Sequence, residues 1–170
     1  MLRLASGCLV STWPQRTDAS RLLFVAPRPL CVLLVDDDEI EQEGFRRALS
    51  RRPLDAQLVT AEDGMEALHI LRGANGHPRM MQPFVVLLDL NMPRMTGIEF
   101  LQELRTDPKL RSTIVFVLTT SNDERDRRAS YDLNVAGYVV KDEVGRDYAR
   151  VLEFLECYSE TVTFPPERFG

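Results

Sequence analysis

Five strand-like segments alternate with five helix-like segments between residues 29 and 160 of this chain. Short, mostly apolar segments predict strands over residues 30–35, 56–60, 84–88, 114–118 and 137–140. Apolar positions at helical spacing predict helices over residues 39–51, 64–72, 97–105, 121–133 and 146–158. The alternation predicts an α/β fold with a doubly wound, five-stranded parallel sheet.

Two of the predicted helices begin with residues that favour a helix N-terminus. Asp38 directly precedes the first helix, and Asp is a favoured N-cap residue. Ser121 and Glu124 have the spacing of a capping box, which predicts that the fourth helix begins at Ser121.

Length and composition predict one folded domain with short extensions. The chain has 170 residues, of which 44% are hydrophobic and 28% are charged, as is usual for a globular protein. We expect residues 1–28 to be a disordered N-terminal extension, or the product of a start codon assigned too early. Residues 29–160 are expected to form the domain, and residues 161–170 a C-terminal tail.

The charge and the cysteine content disfavour several classes of function. A net charge of −5 argues against binding to nucleic acid, which needs a basic surface. No apolar stretch has the roughly 18 residues of a membrane-spanning helix. The three cysteines lie far apart in the sequence, which favours a reduced, cytoplasmic protein.

Carboxylates follow two of the predicted buried strands. Asp36 and Asp37 come directly after the first strand, and Asp89 directly after the third. Parallel sheets place their ligands beyond the carboxyl ends of the strands, so we expect these acids to share a pocket. Like charges in a pocket are unfavourable without a cation, and carboxylate oxygens suit Mg²⁺. The sequence therefore predicts a site for a divalent metal.

Two further strand ends carry groups that suit phosphoryl chemistry. Thr119 follows the fourth predicted strand, and Lys141 follows the fifth. A carboxylate such as Asp89 can attack phosphorus, and a lysine and a hydroxyl can bind the phosphoryl oxygens. Taken alone, Thr119 fits a helix cap and Lys141 an ordinary surface lysine. Their occurrence together at strand ends favours a functional site.

These residues lie in motifs that resemble the receiver domain of two-component response regulators. The resemblance covers about residues 29–157. It rests on Val35-Asp36-Asp37, on Leu-Asp-Leu-Asn-Met-Pro at 88–93 with Met95 and Gly97 behind it, on Val-Leu-Thr-Thr at 117–120 and on Gly-Tyr-Val-Val-Lys at 137–141. Each motif is weak by itself, whereas the ordered set is specific. The implied fold is flavodoxin-like, with the receiver domain over residues 29–160.

The resemblance implies a phosphoacceptor and a metal site. Asp89 would accept a phosphoryl group from the phosphohistidine of a sensor histidine kinase. Mg²⁺ would be bound by Asp36, Asp37, Asp89 and the backbone carbonyl of Asn91. The implied chemistry is Mg²⁺-dependent self-phosphotransfer and autodephosphorylation, so the protein is expected to be a signalling domain rather than an enzyme.

The resemblance also implies a phosphoryl-binding and switching set. Thr119 and Lys141 would contact the phosphoryl group. Tyr138 would be the rotating aromatic side chain that reports phosphorylation on the surface formed by helix four, strand five and helix five. Taken alone, a tyrosine in this position is more often a core or edge packing residue than a switch; within this set of motifs the two interpretations of Tyr138 are about equally good.

Two departures from the usual receiver pattern are visible. The family usually has a proline after the lysine, often in a cis bond, whereas this chain has Asp142. A cis bond before a non-proline residue costs about 2.5–4 kcal/mol, so we expect the loop after Lys141 to run differently. The long loop at 73–83 and the ending at 161–166 resemble stand-alone receivers that serve bacterial phytochrome-type kinases.

The expected function is that of a single-domain response regulator that signals through protein contacts, to a downstream protein or a phosphotransfer protein. About a dozen residues follow the domain, which is too few for a DNA-binding module. The last helix has a second apolar side, formed by Phe154, Tyr158 and Val162, which could form a homodimer contact or cover the body of the same chain.

Two other functions remain open at the level of the sequence. The acidic Asp142 beside the pocket leaves open an unphosphorylated, receiver-like scaffold. An aspartyl-nucleophile phosphatase would use Asp36 and Asp38 as a catalytic pair. Ile40 is a poor fit to that motif, which favours a hydroxyl or a small apolar residue two positions after the second Asp.

Overall fold

The computed structural model describes residues 29–145 and 148–165, so the predicted extension over residues 1–28 lies outside the described residues. The described chain forms a parallel five-stranded sheet in the order β2-β1-β3-β4-β5. The strands are β1 (Leu30–Val35), β2 (Ala56–Ala61), β3 (Phe84–Leu88), β4 (Val115–Thr119) and β5 (Gly137–Val140). The predicted fold is confirmed, with β2 and β4 ending one residue later than predicted.

Helices cover both faces of this sheet. They are α1 (Glu39–Ser50), α2 (Gly64–Arg72), α3 (Gly97–Thr106), α4 (Glu124–Asp132), α5 (Lys141–Val144) and α6 (Ala149–Thr161). The α1 and α6 helices pack on one face, α2 and α3 pack on the other, and α4 lies beside α3 and β5. Within the described ranges, no helix is long and apolar enough to cross a bilayer.

The apolar runs are explained by burial on both faces of the sheet. Successive side chains of a strand point to opposite faces. In β1, Leu33 and Val35 therefore join the core beneath α2 and α3, whereas Val32 and Leu34 join the core beneath α1 and α6. All five residues of β3 are buried in the same way. The sheet is thus a rigid platform whose strand ends are fixed in position.

The fourth helix does not begin at the predicted capping box. It begins at Glu124, and the side chain of Asp123 caps it by accepting a hydrogen bond from the Arg125 N–H at 2.8 Å. Ser121 lies two residues before this cap, and its hydroxyl donates to Asp126 Oδ2 at 2.5 Å. Asp123 is an equally good cap residue and lies nearer the helix, so the prediction of Ser121 as the N-cap was wrong.

The segment after β5 also differs from the prediction of one helix over residues 146–158. Residues Lys141–Val144 form the short helix α5, and the last helix runs from Ala149 to Thr161. Residues 146 and 147 lie outside the described residues. Tyr148 precedes α6 with a φ of 54°, and its buried ring packs edge-on against Phe45 at 5.3 Å between ring centroids. This contact fixes the start of α6 against α1.

Arg105 joins three segments on the α3 side of the molecule. Its guanidinium donates hydrogen bonds to the backbone carbonyls of Leu133, Asn134, Arg111 and Thr113, at 2.8–3.0 Å. These carbonyls belong to the end of α4 and to the connection between α3 and β4. A single side chain therefore satisfies backbone acceptors that precede two neighbouring strands, β4 and β5.

We expect Arg105→Met to lower the free energy of unfolding by about 2–3 kcal/mol, because partly buried carbonyls would lose a charged donor. Arg111→Met is the matched control, since the Arg111 side chain is exposed, and it should change stability by less than about 0.5 kcal/mol. Urea unfolding followed by circular dichroism measures both values. Equal unfolding midpoints for the two variants would contradict this anchoring role.

Candidate functional site

The carboxyl ends of four neighbouring strands bring the predicted site residues to one edge of the sheet. Asp36 follows β1, Asp89 follows β3, Thr119 ends β4 and Lys141 follows β5. Because all the strands are parallel, these ends lie along the same edge. Residues that are far apart in the sequence thereby become neighbours.

Three carboxylates form a cluster at this edge. Asp36, Asp37 and Asp89 each offer an oxygen within 4.8 Å of the others, with Asp36 and Asp89 buried and Asp37 exposed. Hard carboxylate oxygens at this separation suit a divalent cation such as Mg²⁺ or Mn²⁺. Asn91 follows Asp89 by two residues, so its backbone lies in the adjoining loop. The donor set therefore fits the predicted metal.

The side chain of Lys141 places a positive charge next to this carboxylate cluster. Its ammonium lies 2.6 Å from Asp36 Oδ2 and 3.7 Å from Asp89 Oδ2. Burial acts to lower the pKa of Lys141, but the hydrogen bond and charge of Asp36, with the charge of Asp89, outweigh it and raise the pKa. Lys141 is therefore a fixed positive charge at neutral pH.

Asp36 is held by both of its oxygens. Oδ1 accepts a hydrogen bond from the Asp38 N–H at 3.0 Å, and Oδ2 accepts one from Lys141. Burial raises the pKa of Asp36, because the loss of water around the carboxylate outweighs the opposing hydrogen bond and charge of Lys141. Asp38 itself points elsewhere: it caps α1 by accepting from the Ile40 N–H at 2.8 Å, as predicted.

Asp89 presents one oxygen to the backbone and one to Lys141. Oδ1 accepts hydrogen bonds from the N–H groups of Leu90 at 2.7 Å and Asn91 at 3.4 Å. The Asp89 N–H donates to the carbonyl of Val35 at 2.9 Å, which ties the end of β3 to β1. The carboxylate is thus held in one orientation, with Oδ2 toward the lysine, as a nucleophile requires.

Gly97 allows the loop after Asp89 to fold back on itself. Its N–H donates to the carbonyl of Leu90 at 3.0 Å. A Cβ at this position would lie 2.8 Å from the Leu90 Cα and would also clash with the backbone carbonyl of Asp89. Thr96, just before it, caps α3 in a complete capping box with Glu99. The glycine therefore sets the path of the loop between β3 and α3.

Ser121 links Thr119 to Tyr138, a connection that the sequence analysis did not find. The Ser121 N–H donates to the buried Thr119 hydroxyl at 3.3 Å, and its carbonyl accepts from the Tyr138 hydroxyl at 3.0 Å. The Arg127 guanidinium lies over the Tyr138 ring, 5.6 Å from its centroid. In the sequence, the only indication of this link is that Ser121 lies two residues after Thr119.

Some of the predicted residues lie away from this cluster. Asp142 is exposed on α5, and within the described chain the only cis peptide bond is Gln82–Pro83, so the Lys141–Asp142 bond is trans. Phe154, Tyr158 and Val162 lie at the last helix. Phe154 and Tyr158 pack edge-on against Phe116 of β4.

The fold and the strand-end cluster are those of a receiver domain. The family model described as the response regulator receiver domain matches residues 32–151. The chain therefore belongs to the response regulator receiver family, in which the sequence motifs had placed it.

Several relatives share this fold over nearly their whole length. The chain is 34% identical over 138 residues to response regulator Rcp1 of Synechocystis, covering 81% of this chain and 94% of Rcp1. The Mn²⁺-bound crystal structure of Rcp1 superposes with a TM-score of 0.70 and covers 81% of this chain and 100% of that chain. The phosphorylated cyanobacterial phytochrome response regulator RcpA, 33% identical, also gives 0.70, covering 80% of this chain and 98% of RcpA.

We expect Gly97→Ala to lower the free energy of unfolding by about 1–3 kcal/mol, because the new Cβ must displace the backbone of residues 89 and 90. Gly44→Ala is the matched control: it lies in α1, and its Cβ would be 3.5 Å from the Tyr148 ring. That change should be neutral or stabilising by up to about 1 kcal/mol. Thermal and urea unfolding measure both, and equal stability of the two variants would exclude the close approach at Gly97.

Proposed function

We propose that this protein is a single-domain response regulator that accepts a phosphoryl group on Asp89 and signals through contacts with other proteins. The observation that carries the proposal is the meeting of three carboxylates and Lys141 at one sheet edge. Membership of the receiver family supports it.

Mg²⁺ is the cation we assign to the carboxylate cluster. Asp36, Asp37, Asp89 and the backbone carbonyl of Asn91 would hold it. The separation of the carboxylate oxygens, within 4.8 Å, supports this assignment, as does the Mn²⁺-bound form of the similar protein Rcp1. When bound, the cation would add positive charge beside the transferring phosphoryl oxygens.

The transfer step needs few groups from the protein. A carboxylate oxygen of Asp89 attacks the phosphorus of a phosphohistidine, so that an O–P bond forms while the P–N bond breaks. The leaving imidazole keeps the electron pair and takes a proton from solvent. Lys141 neutralises charge on the new acyl phosphate, and the Thr119 hydroxyl donates to one of its oxygens. The protein modifies itself, so it acts as a signalling domain rather than an enzyme.

We infer that this protein is cytoplasmic and that its partner is a sensor histidine kinase of the phytochrome type. Support for this subgroup comes from RcpA, which is a phytochrome response regulator. It also comes from the bacteriophytochrome response regulator AtBRR, which is 32% identical with a TM-score of 0.64 and covers 84% of this chain and 100% of that chain. Downstream, a protein target or a phosphotransfer protein would read the phosphorylated state.

The central test measures the intact mass of the protein after incubation with acetyl phosphate and Mg²⁺. We expect a gain of one phosphoryl group that requires the metal and is lost in Asp89→Asn. Asp132→Asn, a change at an exposed acid of α4, is the matched control and should leave the gain intact.

Absence of the adduct at all times, together with failure to bind beryllofluoride, would reject phosphorylation and favour the scaffold function. Rapid turnover of a generic phosphate monoester would instead favour the aspartyl phosphatase.

We further propose that the exposed side of α6 forms a homodimer contact. Phe154 and Val162 are 42% and 36% exposed, and Tyr158 lies between them with its ring packed against Phe164 of the same chain. Part of this apolar side also packs on the body of the same chain, where Phe154 and Tyr158 contact Phe116 of β4. The remaining exposed side chains support a contact with a second copy.

We expect Phe154→Asp or Val162→Asp to raise the dissociation constant of a homodimer at least about tenfold, because a charge would be buried at the contact. Met81→Asp, which changes a more exposed apolar residue (53%) in the loop before β3, is the control. Sedimentation velocity over a concentration series measures the constants. A monomeric unsubstituted protein, phosphorylated or not, would contradict the dimer.

A further inference from the structure

Arg94 lies in the loop between β3 and α3, three residues beyond Asn91. Its backbone has a φ of 66°, in the left-handed region that residues other than glycine rarely adopt. Such a conformation costs free energy and persists only where surrounding contacts hold it. The contacts of Arg94 therefore bear on the path of the loop that carries Asn91.

An ion pair holds Arg94 against the start of α2. The Arg94 Nε lies 2.5 Å from Asp63 Oδ2, and its Nη2 lies 3.7 Å from Glu62 Oε2. The Asp63 side chain is only 5% exposed, whereas that of Arg94 is 64% exposed. The second Asp63 oxygen accepts from the Glu66 N–H at 2.8 Å and caps α2. One buried carboxylate thus binds both a helix and a loop.

The start of α2 is itself fixed relative to the carboxylate cluster. Ala61, the last residue of β2, accepts a hydrogen bond from the Asp36 N–H at 3.0 Å. Gly64 and Met95 are also in close contact, since a Cβ on Gly64 would lie 2.8 Å from the Met95 Sδ. Residues 63 and 64 therefore contact residues 94 and 95. The strand that leads into them, β2, is hydrogen-bonded to Asp36.

We propose that Arg94 is a positioning residue, whose ion pair with Asp63 holds the loop between β3 and α3 that carries Asn91, the residue whose carbonyl would help to hold the cation. This inference rests on the proposed function. Without the ion pair, the loop loses its tie to the start of α2 and shifts. The Asp36 and Asp89 carboxylates stay in place, because strand ends and their own hydrogen bonds hold them.

The test is a Mn²⁺ titration of the full chain, followed by electron paramagnetic resonance of the free ion. Arg94→Asn removes the guanidinium charge, and asparagine tolerates a positive φ. Asp63→Asn removes the carboxylate charge but keeps a good N-cap residue. We expect each change to raise the Kd for Mn²⁺ about fivefold, a small effect for an outer contact because Arg94 is exposed.

Two further variants separate positioning from general stability. Arg94→Lys should restore most of the affinity, and the Arg94→Asn, Asp63→Asn double variant should bind no more weakly than either single one, since both remove the same contact. Arg72→Gln breaks the ion pair between Arg72 and Asp107, 3.1 Å long, at the opposite end of α2. It should leave the Kd for Mn²⁺ unchanged.

An unchanged Kd in both Arg94→Asn and Asp63→Asn would overturn the positioning role, as would an equal rise in Arg72→Gln. If the unsubstituted protein bound no Mn²⁺, the proposed metal site itself would be wrong. The two failures are therefore distinguishable in one experiment.

Discussion

The mutual repulsion of buried carboxylates is the constraint on which this structure depends. Asp36 and Asp89 are buried and, with exposed Asp37, bring oxygens within 4.8 Å of one another. Two unit charges at that distance repel by about 3 kcal/mol at an effective dielectric constant near 20. Lys141 offsets the repulsion, reaching Asp36 across 105 residues of sequence. Lys141 directly follows β5, and because the parallel strands bring their carboxyl ends to one edge of the sheet, the strand order makes the contact possible.

The sheet fixes the acids, whereas the loops decide how the rest of the site is arranged. Both faces of β1 and β3 are packed, and a close-packed core leaves the strand ends little freedom. The loop after β3 is anchored in the core through the buried side chains of Leu90 and Met92, and elsewhere it depends on particular contacts. Gly97 lets it turn back toward Leu90, and Arg94 ties it to Asp63. In the proposed function, the arrangement of the metal and phosphoryl site would depend in part on these loop contacts.

The sequence was sufficient for the sheet and for the grouping of the strand-end residues, and insufficient where tertiary contacts choose between local alternatives. An apolar run that ends in an acid is best placed as an interior strand, because its side chains are then buried on both faces of the sheet and the acid lies at the sheet edge. Ser121 and Asp123 are both good N-caps. In the fold the Ser121 hydroxyl donates to Asp126, and Asp123 accepts the hydrogen bond from the Arg125 N–H that caps the helix. Arg105 has the same character: nothing in its neighbourhood along the chain indicates the four carbonyls that it binds.

Ser121 offers a route by which the proposed phosphorylation would affect a surface. In the proposed function, the Thr119 hydroxyl turns toward a phosphoryl oxygen, and the hydrogen bond that it accepts from Ser121 has to adjust. The same residue holds Tyr138 through its carbonyl and Asp126 of α4 through its hydroxyl. A small displacement of residue 121 therefore acts on α4 and β5 together. Coupling of this kind needs two arrangements of one short segment, and does not need movement of the rigid sheet.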